Sequence, residues 1–108
     1  YAAHPTSLGG LNSKSSPDFI GSAREIVEKE HGGVFIYLQG ASGDLSPCQQ
    51  YAENTDIAEQ NGSILGHAVL STLFGMLDPG KTLTYDVTVE SGAPFGTFVS
   101  QLKPQISL

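Results

Sequence analysis

The chain has 108 residues, enough for one small domain. Its net charge is −6, with five Lys and Arg against eleven Asp and Glu, so it carries no basic stripe for a phosphate backbone and argues against nucleic-acid binding. No apolar run approaches the roughly 18–20 residues of a membrane span. A single cysteine, Cys48, can form no internal disulfide and no Cys-x-x-Cys zinc motif, and reads as an incidental turn residue.

Residues 1–3, "YAA", read as the end of a strand. Residues 5–17 are rich in Gly, Ser, Asn and Pro and read as a loop. "SPDFIGSAREIVEKEHGG" carries helix signals: Ser16 as N-cap, Pro17 in the first helical position, and Asp18 at the positive helix end. Ile20, Ala23, Ile26 and Val27 form its apolar stripe, the "REIVEKE" charges its solvated face, and Gly32 or Gly33 ends it. "VFIYL", residues 34–38, is a near-continuous apolar run, the pattern of a strand covered on both faces.

A glycine-rich turn follows, "QGASGDLSPCQQY" at 39–51, and then a long helix over 56–77. Asp56 and Glu59 have capping-box spacing there, and Ile57, Ile64, Leu65, Ala68, Val69, Leu73 and Leu77 form the expected buried face. "DPGK" is a turn with proline second, and "TLTYDVTVE" alternates as a strand. The closing "SQLKPQISL" gives no element. The order strand, helix, strand, helix, strand predicts an α/β layered fold with a partly parallel sheet. The chain reads as one piece of a single domain, incomplete at both ends.

Two loops follow predicted strands, and ligands of open α/β sheets bind beyond strand carboxyl ends. The first opens at His4 and the second holds Gly43, Asp44 and Ser46. Parallel neighbouring strands would bring both loops to one edge, where His4 and Ser46 share a cleft. Each loop also has a plain reading, a surface histidine and an ordinary Gly-Asp turn. "GASGD" misses the nucleophile elbow Gly-x-Ser-x-Gly, because Gly43 comes one position early, which rejects a hydrolase built on Ser42. A phosphate loop would need a Lys after its glycines, and none is there. His31 at a helix end and His67 inside the long helix read as structural, and Tyr37 as a core or sheet-face residue.

His4, Thr6, Asn12, Ser16, Asp18, Gly21 and Ala23, followed by Gly43-Asp44-Leu45-Ser46-Pro47, resemble the two signatures of the neutral/alkaline non-lysosomal ceramidases. The first signature is a His, a small residue and Thr, then Asn and Ser-x-Asp-x-x-Gly-x-Ala; the second is Gly-Asp-x-Ser-Pro. The resemblance spans about residues 1–75; "GGL" at 9–11 and "SKSSP" at 13–17 depart from it.

What the resemblance implies is a zinc-dependent amidohydrolase that cleaves the N-acyl bond of ceramide, or of a similar lipid amide, to a sphingoid base and a fatty acid. In that family zinc is held by two His, a Glu and a Tyr. His4 matches the second His, which puts the first upstream of Tyr1 and the Glu and Tyr downstream of Leu108. With one ligand in hand, the isolated 108 residues are expected to be inactive. Ser46 matches the serine required for activity, either as nucleophile or as a hydrogen-bonding partner of the lipid's primary hydroxyl. Gly43 and Asp44 would bind substrate or shape the loop, Asp44 through loop geometry rather than as an acid. A lipid amide partner, membrane-surface contact through regions beyond the chain, and a secreted, periplasmic or membrane-associated location follow from the same resemblance. Two other readings are a relative that has lost catalysis and only binds its ligand, and a structural α/β module of the same fold. An upstream His-x-His with a downstream Glu and Tyr in the full-length sequence would favour the enzyme.

Overall fold

The computed structural model describes residues 1–90 and 92–103. Two helices and one hairpin make up its regular elements: α1 (Phe19–His31), α2 (Asp56–Gly75), β1 (Lys81–Glu90) and β2 (Ala93–Leu102). The chain divides into two compact units, Tyr1–Phe74 and Gly75–Leu108.

This corrects the expected fold. The only sheet among the described residues is two-stranded and antiparallel, β1 against β2, so the partly parallel three-stranded sheet does not form. The predicted strand over 34–38 is extended but not paired in a ladder. Its backbone meets the start of the chain only at Tyr1, whose amine donates to Leu38 O at 3.2 Å and whose carbonyl accepts from Gly40 N at 2.8 Å. Parallel pairing needs evenly repeated bonds along successive residues. One residue's worth leaves residues 1–3 and 34–38 as adjoining extended segments. The Phe35 N–H goes instead to the Glu28 carboxylate at 2.9 Å. Nor is the run covered on both faces: Val34, Ile36 and Leu38 are 84, 75 and 75% exposed, while Phe35 and Tyr37 turn inward.

In the first unit the core centres on Phe19, which is 2% exposed and is met edge-on by the rings of Tyr1 and Tyr37 at 6.4 and 6.3 Å. Burial, and then the neighbouring Tyr1, push the Tyr37 phenol above the ordinary tyrosine range. The cap of α1 is Asp18, not Ser16. Asp18 accepts from Phe19 N, and Ser16 Oγ accepts from Asp18 N at 3.0 Å. Gly32, one of the two glycines expected to end the helix, closes it at φ 78 by donating to Glu28 O.

Helix α2 packs through a seam different from the expected one. Ala58, Gly62, Gly66 and Leu70, spaced four apart, are its buried residues, whereas Ile64 is exposed. Glycine's missing side chain is the reason. A Cβ built on Gly62 would meet Phe19 O and Ser22 Cβ of α1 at 2.5 Å each, and one on Gly66 would meet Ile26 Cβ at 3.1 Å. The helix backbones thus approach through bare positions, and Ser22 Oγ ties them by donating to Glu59 O at 3.2 Å. Asp56 is the first helical residue rather than a cap; Thr55 O takes the Glu59 N–H at 2.9 Å. His67 Nδ1 sits 2.8 Å from Ser63 O within the helix, a local structural contact. Gly62→Ala is expected to force α1 and α2 apart and to lower stability by about 1–3 kcal/mol, the usual range for overpacking. Thermal unfolding of the full-length protein checks it, and an unshifted midpoint would contradict this close approach.

In the second unit Pro79 and Gly80 form the predicted turn, with Lys81 N donating to Asp78 O at 3.0 Å and Gly80 at φ 82. Lys81 lowers the pKa of the exposed Asp78 through a side-chain hydrogen bond. The hairpin register pairs Glu90 with Ala93 and Lys81 with Leu102, and Tyr85 stacks beside Phe98 with ring centroids 5.2 Å apart. The Tyr85 ring lies over Gly96, where it takes the space of a side chain.

Candidate functional site

The two loops singled out in the sequence lie side by side in the first unit. His4 N donates to Leu45 O at 2.8 Å, joining the first loop to the residue before Ser46. The segments then run on together: Tyr51 N donates to Thr6 O at 2.9 Å, Ala52 N to Ser7 O at 2.8 Å, and Gly9 N to Ala52 O at 2.8 Å. This produces a parallel bridge between Leu8 and Ala52. Thr6 Oγ1 adds a bond to Gln50 Oε1 at 3.2 Å. The adjacency was expected from a parallel sheet; it arises instead from direct pairing of the loops.

Within the second loop the turn closes by Leu45 N donating to Ser42 O at 3.1 Å. Ser42 is buried and its Oγ is engaged by Gln39 Nε2, which also donates to Ala3 O at 3.1 Å. Ser42 therefore anchors the turn. Gly43, Asp44 and Ser46 project from it and are all exposed, and their backbone N–H groups have no hydrogen-bond acceptor among the described residues. Asp44's carboxylate likewise has no hydrogen-bond partner there. A Cβ on Gly43 would meet nothing within 4 Å, and its φ is not positive. Neither packing nor backbone conformation among the described residues requires glycine at that position.

His4 is exposed, and its ring makes no hydrogen bond among the described residues. Among the described residues no group of three His, Cys, Asp or Glu side chains comes together. A cleft of about 290 Å³ opens beside the second loop, between Pro47 and Cys48 on one side and Phe19, Asn61, Ile64 and Leu65 on the other. A larger cleft, about 600 Å³, lies between residues 31–38 and α2, away from His4 and Ser46.

Sequence reasoning missed the buried polar residues that tie the first loop to the helices. Ser7 is fully buried and Asp18 is 8% exposed. Asp18 Oδ1 accepts from Ser7 N at 3.1 Å and Phe19 N at 2.7 Å, and Oδ2 from Leu8 N at 2.9 Å. Asn61 Nδ2 donates to Ser7 Oγ and to Gln49 O, both at 2.9 Å. Asn61 had no distinguishing signal, since Gln60 and other polar residues stand beside it in the helix. For Asp18 the helix-end position was legible, but not the reach back to residues 7 and 8.

Comparison with family models, curated proteins and solved structures finds no match. The functional reading therefore rests on the two motifs and on the way the fold joins them.

Proposed function

We propose that this chain is part of a zinc-dependent amidohydrolase that hydrolyses the N-acyl amide bond of ceramide or a similar lipid amide. Water adds across the C–N bond, and the products are a fatty acid and a sphingoid base. The observation that carries the reading is the 2.8 Å bond from His4 N to Leu45 O, because it puts the loops of both motifs in one place.

In this reading His4 is one ligand, and the remaining ligands come from other segments of the full-length protein. When bound, zinc supplies a Lewis acid and a water acidic enough to ionise near neutral pH. The chain's own groups bind and orient. The free N–H groups of Gly43, Asp44 and Ser46 offer donors to a developing oxyanion or to the lipid's polar head. The bare Cα of Gly43 lets that head come close to the backbone. Ser46 Oγ, exposed at the end of the turn, either attacks the carbonyl or hydrogen-bonds the lipid's primary hydroxyl.

That no three His, Cys, Asp or Glu side chains come together among the described residues leaves room for a second reading, a relative that binds a lipid amide without cleaving it. One experiment separates the two. The full-length protein is given a fluorogenic ceramide, then a chelator, then zinc. Turnover lost on chelation and restored by zinc is expected. Binding without turnover under all three conditions would leave the binder.

A further inference from the structure

We propose that Asp18, acting through Ser7, is the residue that positions His4 relative to Ser46. The inference rests on the reading of His4 and Ser46 as parts of one site.

Ser7 lies three residues after His4 and is bonded to three different parts of the unit. Its N–H goes to the Asp18 carboxylate at the head of α1, its hydroxyl accepts from Asn61 of α2, and its carbonyl accepts from Ala52. The same Asn61 amide holds Gln49 O, three residues after Ser46. The loops bearing His4 and Ser46 are thus referenced to one hydrogen-bonded set of groups, with Ser7 and Asp18 buried, and both helices reach that set. Asp18 is its only ionisable member, and its carboxylate takes three N–H groups.

The backbone of Asp18 makes the assignment sharper. It stands at φ 53 and ψ −147, a region that glycine occupies readily and side-chain-bearing residues rarely do. A cap alone would be met at lower strain by glycine, which is an acceptable N-cap. An aspartate held there is explained by what its carboxylate does for residues 7 and 8. Glycine is therefore the discriminating substitution, because it relaxes the backbone, preserves an adequate cap and removes only the carboxylate.

Hydrogen exchange read by mass spectrometry on the full-length protein tests the proposal. In Asp18→Gly, peptides covering residues 3–9 and 43–52 should exchange at least about tenfold faster, while those covering 23–31 and 62–73 keep their protection. Asp18→Asn, which retains one acceptor oxygen, should fall between. With a lipid amide substrate, kcat should drop about tenfold in Asp18→Gly while KM stays within about twofold, since binding groups remain and only their alignment is lost. Faster exchange confined to the first turn of α1, with 43–52 unchanged in both variants, would reduce Asp18 to a helix cap and overturn the proposal. Loosening of both loops in a protein without amidase activity would support the positioning role and defeat the amidohydrolase reading instead, so the two fail separately.

Discussion

Ser46→Ala is expected to lower turnover of a lipid amide by roughly two orders of magnitude or more, the scale for losing a positioned transition-state group. The same substitution should leave folding almost untouched. Ser46 is exposed and its hydroxyl holds no hydrogen bond among the described residues, so removing one oxygen costs about 0.5 kcal/mol or less. The turn beneath it is held by the Leu45-to-Ser42 backbone bond and by the buried Ser42 side chain, neither of which involves Ser46. Rate and thermal midpoint are to be measured on one zinc-loaded preparation. A large stability loss would make Ser46 a piece of architecture. An unchanged rate with unchanged stability would remove it from the site.

His4→Ala is expected to abolish turnover and to weaken zinc binding by more than about 100-fold, the upper end of what even the hydrogen-bonding partners of metal ligands contribute. Here too the fold should survive. The bond that joins the loops uses the His4 backbone N–H, which alanine keeps, and the residue is exposed. Loss of metal with an unshifted apo-protein midpoint is therefore the signature of a ligand. Retention of stoichiometric zinc and full rate would make His4 an ordinary loop residue.

The helices and β1 were legible because their signals are local. Pro17, the apolar spacing and Gly32 bracket α1 to within a few residues, and "TLTYDVTVE" alternates as a half-exposed strand must. Partner choice was not legible. The "VFIYL" run has the composition of a covered strand, yet composition does not say what pairs with it, and among the described residues its one backbone bond to residues 1–3 is from the Tyr1 amine to Leu38 O. β2 escaped notice because Pro94 and Gly96 interrupt its pattern, although the antiparallel partner of β1 begins only three residues after it. The α2 seam was misplaced because the pattern was read from large apolar residues, while close helix approach is decided by Gly62 and Gly66, where side chains are missing. At the candidate site, His4, Gly43, Asp44 and Ser46 stood out by residue type and motif. The bonds that link Asp18 to Ser7 and Leu8, and Asn61 to Ser7, span 10 to 54 residues of sequence, and no local pattern encodes such a bond.

The central claim is that His4 holds a catalytic metal next to the Ser46 loop. Anomalous scattering at the zinc edge from crystals of the full-length protein addresses it directly. The expected result is a single strong peak about 2.0–2.1 Å from an imidazole nitrogen of His4, the ordinary zinc–nitrogen distance, with further protein ligands from outside residues 1–108. A zinc peak held entirely by other residues, or zinc-loaded crystals in which no metal lies near His4, would contradict it.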